Sequence, residues 1–368
     1  MSPPVIALIG ASGFIGLRTA ELLPGPDLAL VPLVRSPASL AVLARTPFDW
    51  RITSFLEVDE LAAALRGCSV CVHAAIGDPA QIVRMARVTY LACARAGVRR
   101  LVWLSSASVH GQNCPPGTTE DSPLRADLPI LYNNAKVRAE WALEKLARDG
   151  RVEVVRLRPG VVFGPRSRWI ADTAADLRAG RAAWLNGGRG LCNSIHVDNL
   201  VEAIRLAALT PGLGGEVFLV GDAETVTWHD FLAPIARHMG LDPSAFADLP
   251  IPVFPPERPG RLAALTLTPA YGRLGRILPD RSKRLVKALL QAWPRPSPAP
   301  EAWTFRPRAP QPRLTHESAL LQQCTWKLPH TQATRRLGYQ PPVPFATGLN
   351  RSLAWLDFAE GRRPTVQP

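Results

Sequence analysis

Val5-Ile6-Ala7-Leu8-Ile9-Gly10-Ala11-Ser12-Gly13-Phe14-Ile15-Gly16 is the stretch that decides how this chain folds. Val5 to Ile9 is an apolar run of strand length, and the residues from Phe14 to Leu23 read as a helix that follows at once. Between them Gly10, Gly13 and Gly16 fall at the spacing of a sharp strand-to-helix turn. Gly10 permits the turn, Gly13 lets backbone N–H groups close on a pyrophosphate, and Gly16 lets the helix lie close to the sheet. The anion then sits on the helix N-terminus, where unpaired N–H groups and the helix dipole both favour negative charge. With Ser12, Phe14 and Ile15, these glycines form the first set of candidate cofactor contacts.

Working outward, 368 residues with 47% hydrophobic and 20% charged content suit a globular chain with a full core. No apolar run is long enough to span a bilayer, and the first strand begins too early to leave room for a signal segment. A cytoplasmic location is the expectation. The formal charge of +13 comes from arginines scattered without a basic block, so it predicts no nucleic-acid partner but a surface that attracts an anionic cofactor or membrane. Of the six cysteines only Cys68 and Cys71 lie close together, and no histidine cluster completes a metal site. They read as buried thiols.

Leu28 to Val34 reads as the second strand, at whose end such domains hold the adenosine ribose. Arg35 and Ser36 stand there in place of an acidic residue and suit a 2′-phosphate, which favours NADP and leaves NAD open. A helix over Leu56 to Leu65 precedes a strand from Cys68 to Ala75, whose small terminal residues Ala74 and Ala75 allow close passage of the cofactor. His73 reads as a packed strand residue. Ala80 to Ala96 is a helix stopped by Gly97. The strand beginning at Arg100 delivers Ser105, Ser106 and Ser108, and Tyr132 opens a helix that carries Lys136 on the same face and runs to Ala147. A tyrosine titrates near ~10, so a neighbouring ammonium that lowers it makes a usable acid or base, while a serine hydroxyl holds the reacting oxygen.

These residues taken together resemble the extended short-chain dehydrogenase/reductase, or NAD-dependent epimerase/dehydratase, family. Val5 to Gly16 is similar to its glycine motif, Ser105 to Gly111 to its serine strand end, and Tyr132-Asn133-Asn134-Ala135-Lys136 to its Tyr-x-x-Ser-Lys. Arg158 to Pro165 and Ile195 to Asn199 match later signatures, and a weaker likeness returns from Ala333 to Phe358. The resemblance implies that Ser106, Tyr132 and Lys136 are catalytic, with Tyr132 as acid/base, Lys136 lowering its pKa and binding the nicotinamide ribose, and Ser108 as the fallback for Ser106. It adds Ser105, Tyr132, Lys136, Pro159 and Val162 to the cofactor contacts. It also points to the helices Ala80–Ala96 and Tyr132–Ala147 as the faces of a homodimer.

Two departures bear on the substrate. Nucleotide-sugar members carry an asparagine where this chain has Val161, and another near Ile82 or Val83 that is missing. The Arg158-Pro159-Gly160-Val161-Val162 form looks more like members that act on secondary alcohols or ketones of hydrophobic molecules. His110, where tyrosine is usual, alters the pocket wall.

Downstream, Asp198 is expected to cap a helix from Asn199 to Leu209, Glu216 to Val220 is a strand, and Thr227 caps a helix to Met239. Proline and arginine crowd residues 241–313, interrupted by a basic amphipathic helix over residues 280–293 that can cover a pocket or touch a membrane. The expected fold is α/β: a doubly wound parallel Rossmann sheet in residues 1–165, with 195–221 returning to it, and a smaller C-terminal substrate-binding region in 166–368. The expected function is an NAD(P)-dependent oxidoreductase on a hydrophobic small molecule. The alternatives are a nucleotide-sugar epimerase or dehydratase, and a non-catalytic NADP-binding sensor.

Overall fold

Seven parallel strands form the central sheet: β1 (Val5–Ile9), β2 (Ala29–Val34), β3 (Arg51–Ile52), β4 (Val70–His73), β5 (Arg100–Leu104), β6 (Glu153–Pro159) and β7 (Val217–Val220). The computed structural model describes residues 4–26, 28–44, 48–255 and 312–362. The amphipathic segment 280–293 and most of 241–313 lie outside them. Across the sheet the order is β3-β2-β1-β4-β5-β6-β7, so the chain starts in the middle and winds outward in both directions. The point of reversal lies between β1 and β4, which is where a doubly wound sheet opens a crevice at its carboxyl edge.

Ten helices accompany the sheet among the described residues: α1 (Phe14–Leu22), α2 (Val58–Ala64), α3 (Pro79–Ala96), α4 (Leu131–Ala147), α5 (Arg168–Arg178), α6 (Val197–Leu209), α7 (Trp228–His238), α8 (His316–Leu321), α9 (Thr331–Leu337) and α10 (Phe345–Ala359). Alternation along the strands sorts them into layers. Ile6, Leu8, Val72 and Leu104 face α1, α6 and α9, while Ala7, Ile9, Cys71 and Trp103 face α2, α3 and α4. Both faces of the central strands β1, β2, β4 and β5 are covered, so they read as largely apolar runs. Each fully buried Leu, Ile or Phe contributes about 1.5–3 kcal/mol.

A third cluster gathers Phe163, Ile170, Trp228, Phe231, Phe345 and Leu349 from the later helices and the short strand Val161–Phe163. Its centre is a stack of edges: Phe163 and Phe231 cross at 83° with centroids 5.4 Å apart. All described residues belong to one compact unit. No helix among them is long and apolar enough to cross a membrane.

One expectation about a cap is corrected. The sixth helix starts at Val197 rather than Asn199, and His196 is the cap residue, its Nδ1 accepting the Asp198 N–H at 3.3 Å. Asp198 sits inside the first turn, where its carboxylate receives Arg18 Nε at 2.6 Å and Arg351 Nη1 at 3.1 Å. Two arginines outcompete a cap for that carboxylate, and they join α1 to α10 through it. Thr227 does cap α7, in a reciprocal box with Asp230.

Candidate active site

The glycine turn is built as tightly as its spacing requires. Gly10 has φ +84°, and a Cβ there would lie 2.7 Å from the Ala75 nitrogen just past β4. A Cβ on Gly16 would lie 2.1 Å from the Gly10 carbonyl oxygen, so that position admits no side chain. Gly13 adopts an ordinary extended conformation as the N-cap of α1, and its N–H closes the turn on the Gly10 carbonyl at 2.9 Å. Gly13 is exposed, with Ser12, Phe14 and Ile15 partly so around it, and the first-turn N–H groups of α1 have no partner within the helix. The donor set and the missing side chains suit a diphosphate.

Apart from Tyr132 and Lys136 on α4, the residues assigned from sequence lie at or just past the carboxyl ends of strands, which brings them to one edge of the sheet. Arg35 and Ser36 follow β2, Ala74 and Ala75 follow β4, Ser105 and Ser106 follow β5, and Pro159 ends β6 with Val162 just beyond it. Beside the glycine turn lies a cavity of about 540 Å³ lined by Arg35, Thr53, Ser54, Phe55, Ala75, Ile76 and Gly77 among others. Ser54, Phe55 and Ile76 are additions to the set. The first two follow β3, which is only two residues long, too short to leave a periodic signal.

At the other end of the crevice α4 begins at Leu131, placing Tyr132 and Lys136 one turn apart. Ser106 Oγ lies 2.8 Å from Ser108 Oγ, and the half-buried Tyr132 phenol stands near enough to Ser106 for that hydroxyl to bear on its pKa. Lys136 is buried; its ammonium donates to the Leu104 carbonyl at 2.8 Å and sits 5.7 Å from the centroid of the Tyr132 ring. Burial brings that ammonium down to about 8, opposed by the charge of Glu140 one turn further along. The Tyr132 phenol is held above its ordinary value by burial and by the Glu317 carboxylate, and only the Ser106 hydrogen bond opposes them. The Lys136 ammonium is aimed at the β5 carbonyl.

A buried ion pair supports this arrangement from behind. Arg158 forks onto Glu140, Nε to Oε1 at 3.0 Å and Nη2 to Oε2 at 2.7 Å, and both side chains are buried. Ser105 donates to the same Glu140 carboxylate. Its hydroxyl thus serves the brace. His110 accepts from Arg158 Nη1 at 3.0 Å and is held down to about 4 by burial and the arginine charge, so it stands neutral in the pocket wall. Asp222 accepts from Ser194 Oγ, the His196 N–H and Asn199 Nδ2, which gives the Ile195–Asn199 motif a packing role.

Sequence reasoning missed Glu317 and Lys327. Lys327 joins Ala107, Gly160 and Asn193 around a small recess and donates to the Asp222 carbonyl at 2.9 Å. Both residues lie far along the chain from the motifs they approach, beyond any local pattern.

A model of the NAD dependent epimerase/dehydratase family matches residues 6–221. The chain is 27% identical over 243 residues, 63% of its length and 72% of the relative's, to the 4-hydroxy-2-methyl-3-oxo-4-farnesyl-3,4-dihydroquinoline-1-oxide ketoreductase of Stigmatella aurantiaca. It is 26% identical over 381 aligned positions, 96% of this chain and 97% of the relative, to the decarboxylating sterol-4-alpha-carboxylate 3-dehydrogenase of Candida albicans. Among solved structures, the dTDP-glucose 4,6-dehydratase DesIV of Streptomyces venezuelae, with NAD and TYD bound, matches 97% of this chain and 98% of its own at TM-score 0.66. At 19% identity that likeness is one of fold.

Proposed function

Because the chain belongs to the NAD-dependent epimerase/dehydratase family, we propose that it is an NAD(P)-dependent oxidoreductase acting at a secondary alcohol or ketone of a hydrophobic small molecule. The observation that carries this reading is the placement of Tyr132 one helical turn from the buried Lys136 ammonium, near Ser106 just past the end of β5. Relatives with ketoreductase and sterol dehydrogenase activities support the substrate class. A nucleotide sugar is disfavoured by Val161, an apolar side chain buried in the third cluster where an amide would be needed to hold a diphosphate.

The residues that would hold the dinucleotide are the Gly10–Gly16 turn, Arg35 and Ser36, Ala74 and Ala75, Lys136, Pro159 and Val162. When bound, it supplies or accepts the hydride. Tyr132, protonated at neutral pH, is set to donate its proton to the oxygen of a carbonyl undergoing reduction. Ser106 holds that oxygen in line with the phenol, with Ser108 bonded behind it. Lys136 presents a positive charge beside the transfer, and the Glu140–Arg158 pair keeps it in place. The exposed Arg35 at the cavity mouth favours NADP over NAD through its pairing with a 2′-phosphate.

The test is direct. The purified protein should consume NADPH with hydrophobic ketones, and Arg35→Asp should lower the NADPH:NADH preference by at least tenfold. Turnover of a nucleotide sugar with no net change in reduced nicotinamide would replace this reading with the epimerase one.

A further inference from the structure

All six cysteines are buried as free thiols. Two of them, Cys114 and Cys324, come from opposite ends of the chain, and their sulfurs lie 4.0 Å apart. Cys114 sits in the loop after β5. Two residues before it, Gln112 exchanges two amide hydrogen bonds with Asn133, the neighbour of Tyr132, at 3.2 and 2.7 Å. Cys324 opens the segment after α8 that brings Lys327 to the recess beside Ala107 and Gly160. A second contact already joins the two segments, since Trp326 Nε1 donates to the Thr118 carbonyl at 3.0 Å.

We propose that Cys114 and Cys324 form a redox-modification site, at which a peroxide-class oxidant converts the pair into a disulfide that ties the segment after α8 to the loop before α4. The sulfurs need to close from 4.0 Å to about 2.05 Å, a displacement within reach of side-chain rotation. The surroundings divide the roles. Asn193 Nδ2 donates to Cys324 Sγ at 3.5 Å; the neighbouring Cys114 thiol, with that amide's help, brings Cys324 down, while the neighbouring sulfur and burial push Cys114 up. The amide donor aimed at its sulfur makes Cys324 the attacking thiolate and Cys114 the resolving thiol. Both are 1–2% exposed, so the oxidant that fits is a small peroxide.

The balance closes. The Cys324 thiolate attacks one peroxide oxygen; the S–O bond forms, the O–O bond breaks, and the departing hydroxide takes a proton to become water. Cys114 then attacks the sulfenic sulfur as its own proton leaves; the S–S bond forms, the S–O bond breaks, and the hydroxyl departs as a second water. Two thiols lose two electrons to one peroxide. Cys71 and Cys93 also neighbour each other, but inside the core between β4 and α3, where the adjoining thiol and burial push Cys71 well up.

The test uses the full chain and needs no substrate, so its outcome is independent of the oxidoreductase reading. After hydrogen peroxide at neutral pH and alkylation, non-reducing peptide mapping should recover a Cys114–Cys324 linked pair and an intact mass lighter by two hydrogens, both reversed by dithiothreitol. The oxidised protein should melt roughly 5–10 °C higher, because the bond closes a loop of some two hundred residues. Cys114→Ser and Cys324→Ser should each lose that rise while keeping the starting melting temperature of the reduced protein. A Cys71–Cys93 link instead, over-oxidised Cys324 beside a free Cys114, or no linked peptide at all would overturn the assignment. The mapping on the wild-type chain decides the matter even if a variant folds poorly.

Discussion

Replacing His73 by phenylalanine isolates the pH cost of one buried imidazole. The ring is fully buried at the end of β4, 4.3 Å from the Trp103 ring centroid, and neither nitrogen has a hydrogen-bond partner. Burial first, and the Lys136 charge second, bring it from 6.5 down to about 3. The unfolded chain takes up a proton near 6.5, so between pH 6.5 and about 3 the unfolded state binds more protons than the folded one. Stability therefore falls as the pH drops through that window. The loss attributable to His73 is about 2 kcal/mol at pH 5 and about 4 kcal/mol by pH 3. His73→Phe keeps an aromatic ring against Trp103 and removes the titration. His110 and His196, also held down to about 4, remain in both proteins and cancel. Urea unfolding at pH 7.5 and pH 5 should show the variant no less stable at the higher pH. On going to pH 5 the wild type should lose about 2 kcal/mol more than the variant, or about 4 °C in melting temperature. Parallel losses in the two proteins would refute the claim that this imidazole is neutral and unpaired in the folded state.

Other outcomes follow from the same geometry. Tyr132→Phe should lower kcat by about 10²- to 10⁴-fold with nucleotide binding retained, as read by turnover and by fluorescence titration. Because Lys136 titrates near 8, turnover should decline above about pH 8 as the ammonium is lost, with Lys136→Arg moving that limb upward in the pH profile. Glu140→Ala leaves Arg158 as an uncompensated buried charge and should cost about 3–5 kcal/mol in urea unfolding.

Most of the sheet could be read from the chain because both its faces are covered. Val5–Ile9, Ala29–Val34 and Arg100–Leu104 are apolar runs bounded by turn residues, and their expected limits differ from the observed ones by a residue or so. The β3 strand escaped notice because two residues carry no period, and with it went Ser54 and Phe55. Ser106, Tyr132 and Lys136 were legible because local spacing brings the last two onto one face and strand order brings the first beside them. What spacing could not convey was direction. Nothing in Tyr-x-x-x-Lys says that the ammonium turns to the Leu104 carbonyl, or that Ser105 turns away to Glu140. Asp198 was misread for a similar reason: its partners, Arg18 and Arg351, stand at the two ends of the chain, and only the folded packing introduces them.

That triad also sets an order of assembly. The helix that opens at the glycine turn is synthesised well before α10, which supplies the second of the two cations that neutralise Asp198. At about 5–20 residues per second, the interval between Arg18 and Arg351 is roughly 20–70 s. Throughout that time the nascent chain holds a dinucleotide turn without its closing contact. Vectorial synthesis thus makes the later helix the clasp on the earlier one.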